Sequence, residues 1–294
     1  MDRKYLGLND HAVGIILKEL VRRAIVIARR QVLSFEVGEK MGYGGDMDDV
    51  FTSADKLAQE SYVKSLRECF PDIGIIGEEE SLSIPAKKGR RAFFTIDPID
   101  GTKAYIRRQS HGIGSMVSLV IDGVVEAAYV GDVNAQEIFG YRPGLSSVWR
   151  ITHLDVHEKL DINPKKADFF KSGILLRERE NKYSKVAQKT VGLFKTILID
   201  GGSVGTWAAR LWKREVGALV LAPSWETPWD WSPVVGISLK LGYVFLKPSG
   251  EAWVKYQPIV EDQKLKTEHD TLIIHKNHLG QLKERMTKDP ELLI

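Results

Sequence analysis

Three acidic clusters carry the residue types from which a hydrolytic metal centre is built. Asp97 and Asp100 stand three apart in Asp97-Pro98-Ile99-Asp100-Gly101-Thr102, Glu78 and Glu79 follow an apolar run, and Asp230 closes Trp225-Glu226-Thr227-Pro228-Trp229-Asp230. If these acids converge, several negative charges share one small site, which stays ionised only around cations. All-oxygen donors suit hard metals, Mg²⁺ first and Mn²⁺ next. The chain has no HExxH, no CxxC and no histidine pair at ligand spacing, so zinc is not expected. Two hard ions about 3.5–4 Å apart would clamp a phosphate and lower the pKa of a bound water. Each cluster alone has an ordinary explanation. Glu78-Glu79-Glu80 reads as a solvated charge run, the Asp-Pro-Ile-Asp-Gly segment as a turn of turn-forming residues, and Asp230 as a helix cap.

The elements around these clusters follow from hydrophobic period. Val13, Ile16, Leu17, Leu20, Ala24, Ile27 and Ala28 recur at helical spacing behind the caps Asn9 and Asp10, predicting a helix over 11–31. A second helix is predicted over 53–70, with Leu57, Ala58, Tyr62, Leu66 and Cys69 on one apolar face. The glycine-rich 41–46 segment reads as a loop. Strands are predicted at 73–76, ending at Glu78, and at 92–96, ending at Asp97. Asp122-Gly123 between two apolar runs is a hairpin signal. Beyond residue 155 strands at 173–176, 196–199, 218–221, 243–246 and 271–274 alternate with helices at 183–194, 203–214 and 233–241, before a final helix. The first half reads as helices on an antiparallel sheet, the second as a layered α/β unit.

Composition bounds the rest. A chain of 294 residues, 43% hydrophobic and 28% charged, can bury a large core. A net charge of +3 gives no basic stripe, so nucleic acid is not expected as a partner. Cys69 is the sole cysteine, which excludes a disulfide framework and suits a reducing cytoplasm. Apolar runs fall far short of the ~20 residues of a membrane span. Met1-Asp2-Arg3-Lys4 does not open a secretion signal. A cytoplasmic protein is therefore expected.

The conjunction of Thr52-Ser53-Ala54-Asp55, Gly77-Glu78-Glu79, Asp97-Pro98-Ile99-Asp100-Gly101-Thr102, Gly202-Ser203 and Trp229-Asp230 resembles the inositol monophosphatase superfamily. That group includes fructose-1,6-bisphosphatases, 3′(2′),5′-bisphosphate nucleotidases and one class of histidinol-phosphate phosphatases. The resemblance runs across nearly the whole chain. It implies an α/β (α+β) fold, a layered αβαβα sandwich of the inositol monophosphatase/fructose-1,6-bisphosphatase type. Residues 1–155 would form a helix and antiparallel-sheet subdomain with most of the ligands, and 156–294 an α/β subdomain contributing Asp230. It implies Mg²⁺-dependent hydrolysis of a small phosphate monoester, an inositol monophosphate or related sugar phosphate. The nucleotidase, histidinol-phosphate and fructose-1,6-bisphosphate activities are the alternatives. Two or three ions are implied. Glu78, Asp97 and the Ile99 carbonyl would hold the first, and Asp97, Asp100 and Asp230 the second. Thr102, paired with Asp55 and assisted by Glu78, would orient water. Asp100, Gly101, Thr102, Gly202, Ser203 and Asp230 would face substrate. A homodimer and sensitivity to Li⁺ are also implied.

The chain departs from inositol monophosphatases in places. Pro223 stands where they carry a glutamate, with Glu226 nearby but out of register. Trp231-Ser232-Pro233 replaces small residues, and Leu239-Lys240-Leu241-Gly242 replaces Glu-Ala-Gly-Gly. Lys103 is more like the nucleotidase and histidinol-phosphate members. Arg107, Arg108 and His111 read either as an anion-facing rim or as solubilising surface. The segment from Lys40 to Asp49, with Tyr43, corresponds to a mobile loop of the family that could close over substrate, or is an ordinary connection.

Overall fold

The computed structural model describes residues 7–42, 44–47, 49–89, 91–160 and 169–288; the N-terminal tetrapeptide and Tyr43 lie outside them. Helix α1 (Asp10–Gln31) opens behind Asn9, whose side chain accepts from the amides of His11 and Ala12. Strands β1 (Val37–Lys40) and β2 (Asp49–Thr52) pair antiparallel, and the glycine-rich segment connects them. Helix α2 (Ser53–Cys69) begins on a capping box of Thr52 and Asp55.

An eight-stranded sheet follows. Its strands are β3 (Gly74–Gly77), β4 (Ser83–Ile84), β5 (Ala92–Asp100), β6 (Gly114–Ile121), β7 (Val124–Asp132), β8 (Glu137–Tyr141), β9 (Trp149–Ile151) and β10 (His157–Lys159). They lie in the order β10-β9-β8-β7-β6-β5-β3-β4. Every pair is antiparallel except β3 with β5. The short helix α3 (Thr102–Ile106) links β5 towards β6.

The second half contributes β11 (Gly173–Leu176), α4 (Lys185–Val191), β12 (Thr196–Ile199), α5 (Val204–Trp212) and β13 (Ala218–Leu221). Then come β14 (Trp225–Glu226), α6 (Pro228–Lys240), β15 (Tyr243–Ser249), β16 (Ala252–Tyr256), β17 (Leu265–Lys266), β18 (Thr271–His275) and α7 (Leu279–Lys288). Six strands form a sheet in the order β12-β11-β13-β18-β15-β16, while β14 and β17 form a separate ribbon.

Three apolar cores define five layers. The first joins α1 and α2 to one face of the large sheet, through residues such as Leu17, Tyr62, Phe94 and Val117. The second fills the space between the two sheets, where α5 and α6 place Trp207, Trp212, Val234 and Ile237 against Met116, Val130, Leu219 and Phe245. The third packs α4 and α7 on the far face of the small sheet. This is the αβαβα sandwich expected from the resemblance.

Some boundaries differ from the sequence reading. Cys69 is exposed, not on the apolar face, because the buried stripe ends at Leu66 and Phe70 turns into the core in its place. Leu57 is likewise exposed. Helix α6 starts at Pro228 rather than Pro233. Proline is well suited to the first helical turn, where its missing N–H would have no partner. The predicted 183–194 helix is confined to Lys185–Val191 behind a Ser184 cap.

Candidate active site

Strand β5 creates the site by breaking its own register. Side chains three apart on a regular strand point to opposite faces. Here Asp97 pairs with Met116 and Asp100 with Gly114, and the register shifts between them. Such an irregularity re-aims a side chain. One carboxylate oxygen from each of Asp97, Asp100 and Asp230 therefore lies within 4.8 Å of the other two. Asp97 is 2% exposed, and its Oδ1 finds no hydrogen-bond partner among the described residues.

Two helix N-termini hold the other members. Asp100 accepts from the amides of Val204 (3.2 Å) and Gly205 (2.8 Å) and from the Ser203 hydroxyl. The positive end of α5 thus faces this carboxylate. Ser203 also caps α5, its Oγ accepting from the Thr206 amide at 2.9 Å. Asp230 lies in the first turn of α6, and Thr227 Oγ1 donates to it at 2.6 Å.

Glu78 sits just after β3, its amide bonded to the Ile96 carbonyl of β5. Its carboxylate is not one of the three within 4.8 Å of one another, though it interacts electrostatically with Asp97 and Asp230; Lys40 from β1 reaches it at 2.9 Å and Glu79 at 2.6 Å. Burial pushes Glu78 up to about 8, with Asp230 and Glu79 adding to the rise and Lys40 opposing it. Burial, then Glu78 and Asp230, hold Asp97 well above the usual carboxylate range. Asp100 rises to about 7 through burial and Asp230, against its bonds from Ser203 and the α5 amides. A cluster this crowded with negative charge favours protons or cations.

Thr102 and Asp55 meet at 3.3 Å, and the Thr102 hydroxyl is 3.1 Å from the Ile99 carbonyl. Asp55 is fully buried, and Thr52 donates to its other oxygen from both amide and hydroxyl. Burial raises Asp55 to about 6.

Three glycines let the loops close around β5. Gly101 has φ +89, and a Cβ there would lie 2.3 Å from the Gly112 carbonyl and 2.8 Å from the Ser203 nitrogen; one on Gly202 would lie 2.4 Å from the same carbonyl. Gly101→Ala is expected to cost more than about 2 kcal/mol, since strain and a backbone clash combine. Gly44→Ala, with nothing within 4 Å, should change stability by less than about 0.5 kcal/mol. Urea unfolding of both variants checks the contrast.

Among the basic residues considered from sequence, Arg107 and Arg108 are exposed. The Lys103 side chain is 61% exposed and 3.9 Å from Asp49. His111 turns to Asp200, 3.0 Å away, which Arg210 also contacts at 3.2 Å. Sequence reasoning missed Lys40 as the partner of Glu78, because β1 carries no strong apolar alternation. It also missed Thr227, although Thr-Pro before Trp-Asp is a helix-start signal that points to it.

The sequence profile described as "Inositol monophosphatase family" matches residues 10–284. The chain belongs to the inositol monophosphatase family. A Nus factor SuhB of Xylella fastidiosa is 28% identical over 183 residues, a stretch covering 61% of this chain and 61% of that relative. A histidinol-phosphatase of Chlorobaculum parvum is 26% identical over 201 residues, 66% of this chain and 71% of that one. Among solved structures, an IMPase/NADP phosphatase complexed with Mg²⁺ and phosphate superposes with a TM-score of 0.67 at 16% identity, covering 93% of this chain and 95% of its own. Inositol monophosphatase family members are metal-dependent phosphatases acting on small phosphorylated substrates. The donor set here fits a hard divalent ion: the candidate donor atoms are all oxygen, and the buried Asp97 Oδ1 has no partner among the described residues. Among the described residues no helix is long and apolar enough to cross a membrane.

Proposed function

We propose that this chain hydrolyses a small phosphate monoester with Mg²⁺ held by Asp97, Asp100, Asp230, Glu78 and the Ile99 carbonyl. The observation that carries this is the convergence of Asp97 and Asp100 of β5 with Asp230 of the distant α6, one carboxylate oxygen of each within 4.8 Å of the others. Two or three ions fit the charge of the cluster, with Mn²⁺ as a substitute. When bound, the metal neutralises phosphate charge and lowers the pKa of a bound water. Residues 1–155 supply most of these ligands and residues 156–294 supply Asp230, so the two halves act as subdomains of one site. A homodimer in the cytoplasm, without a nucleic-acid role, completes the reading; sedimentation tests the dimer.

The chain's own groups then aim the water. A hydroxyl has one proton to donate and two lone pairs to accept with. Thr102 directs its proton to Asp55 or to the Ile99 carbonyl, both within 3.3 Å. Its oxygen is left as an acceptor for the attacking water, whose own lone pair turns to phosphorus. Asp55 is ionised near neutral pH and holds that hydroxyl in place. Gly101 and Gly202, lacking side chains, let the backbone close up beside Asp100 and Ser203, and the Gly101 and Thr102 amides would face the phosphate.

Phosphate release with and without Mg²⁺ tests the activity; no Mg²⁺-dependent release from any ester would reject it. Thr102→Ala is expected to lower kcat about 10²-fold, and Thr102→Ser to recover most of that. An unchanged kcat in the alanine variant would remove Thr102 from the mechanism. For the leaving group, the sequence leans to an inositol or sugar phosphate. The cleft beside Asp230, walled by Leu221, Ala222, Trp225 and Trp231, favours the nucleotidase and histidinol-phosphate alternatives.

A further inference from the structure

Asp200 is a carboxylate outside the metal cluster, yet it stands where two loops beside the site meet. One loop, residues 107–113, joins α3 to β6, and the other, residues 200–203, joins β12 to α5. They meet backbone to backbone. The Ser203 amide donates to the Gly112 carbonyl at 2.9 Å, and a Cβ on Gly112 would lie 2.9 Å from the Gly201 carbonyl. A contact between glycines has no side chains to secure it, and glycine loses more freedom on ordering than any other residue. Asp200 supplies the fastening. Its Oδ1 accepts from the Gly201 amide at 2.9 Å and stands 3.0 Å from His111 Nε2, while its Oδ2 accepts from Arg210 of α5 at 3.2 Å. The Trp207 indole N–H, also on α5, donates to the Gly201 carbonyl at 3.2 Å. One carboxylate therefore ties the first loop, the second loop and the body of α5 together.

What that tie holds is the start of α5. The Ser203 hydroxyl and the amides of Val204 and Gly205 all donate to Asp100. The loop that Asp200 secures is thus the loop that aims this carboxylate. Groups that orient a metal-binding side chain control affinity without touching the ion. The tie adds little to overall stability, because the His111 side chain is 58% exposed and such pairs are screened by solvent. Its effect is local.

Resting on the phosphatase reading, we propose that Asp200 is a positioning residue for the divalent ion: it joins His111 to the start of α5 and so fixes the orientation of Asp100. Its loss weakens binding of the ion and leaves the chemical step intact once the ion is bound.

The test titrates Mg²⁺ calorimetrically into the metal-free full chain, for the wild type, Asp200→Ala, Asp200→Asn and Glu215→Gln. Asp200→Ala is expected to weaken Mg²⁺ binding by about tenfold or more. Asparagine keeps an oxygen for the Gly201 amide but not the charge facing Arg210, so its loss should be smaller. Glu215 shares Arg210, at 3.2 Å, and bonds to neither loop among the described residues, so Glu215→Gln should leave the affinity unchanged. In EDTA, deuterium exchange at the Val204 and Gly205 amides should quicken in Asp200→Ala while the amides of α1 and α2 stay protected, which separates positioning from general unfolding. Phosphate release should need about tenfold more Mg²⁺ for half-saturation and reach the wild-type kcat at saturation. Wild-type Mg²⁺ affinity in Asp200→Ala, an equal loss in Glu215→Gln, a kcat still depressed at saturating Mg²⁺, or exchange quickened throughout the chain in both Asp200 variants would overturn this inference and leave the phosphatase reading standing. A wild type that binds no Mg²⁺ would remove both.

Discussion

Asp97→Asn is expected to lower Mg²⁺-dependent turnover by at least about 10³-fold while raising the melting temperature of the metal-free protein. The loss follows from position. Asp97 is the deepest carboxylate of the trio, and it is implied as a ligand to both ions. Metal ions contribute several kcal/mol of transition-state stabilisation, and each 1.36 kcal/mol is a factor of ten in rate. The gain in stability follows from burial. Asp97 is 2% exposed, crowded by Glu78, Asp230 and Asp100, and one of its oxygens has no partner among the described residues. Asparagine keeps the shape and removes the charge. A functional site that is strained without its ligand commonly trades stability against activity in this way. Turnover assays and thermal melts in EDTA check the two halves together. Wild-type turnover in the variant would reject the bridging role, and a lower metal-free melting temperature would reject the view that the carboxylate is a burden.

The second large effect is a dependence of Mg²⁺ stabilisation on pH. Glu78 and Asp100 hold their protons in the folded protein up to about 8 and about 7, against ordinary values of 4.5 and 3.8. Between those limits the folded state binds more protons than the unfolded chain, so stability falls as pH rises. Each group contributes up to about 1.4 kcal/mol per pH unit within its window. With respect to these groups the metal-free protein is therefore most stable below about pH 4, and it weakens steadily towards pH 8. A divalent ion binds the ionised cluster of the folded state, which stabilises that state by mass action. The melting-temperature rise on adding millimolar Mg²⁺ should be several degrees larger at pH 8 than at pH 5.5. Equal rises at both pH values would show that the ion binds elsewhere.

Much of this site could be read along the chain because its parts use local rules. The apolar run ending at Asp97, the proline after it and the glycine after Asp100 mark a strand that stops at a ligand site. Periodicity also located α1, α2 and the β6–β7 hairpin. What escaped was set by tertiary context. The run to Asp100 stays in the sheet because β6 pairs with it across a register shift, and no local propensity encodes that. Strand β1 has alternating half-exposed residues and little apolar content, so neither it nor the placement of Lys40 at Glu78 could be anticipated. His111 looked like a candidate anion contact by its arginine neighbours. Its actual partner, Asp200, is 89 residues away. Cys69 was misplaced because helical period continues on paper past the point where Phe70 takes over the core position. The ribbon that sets Trp225 and Glu226 along the cleft rests on β14 pairing with β17, a two-residue contact too short to leave a pattern.

The proposed gathering of four acidic side chains around divalent ions is tested most directly by anomalous diffraction from crystals grown with Mn²⁺. Peaks in direct-coordination contact with the carboxylates of Asp97, Asp100, Asp230 and Glu78, and with the Lys40 ammonium displaced from Glu78, are the predicted result. Strong Mn²⁺ peaks confined to other surfaces, with Asp97 Oδ1 still bare, would contradict it.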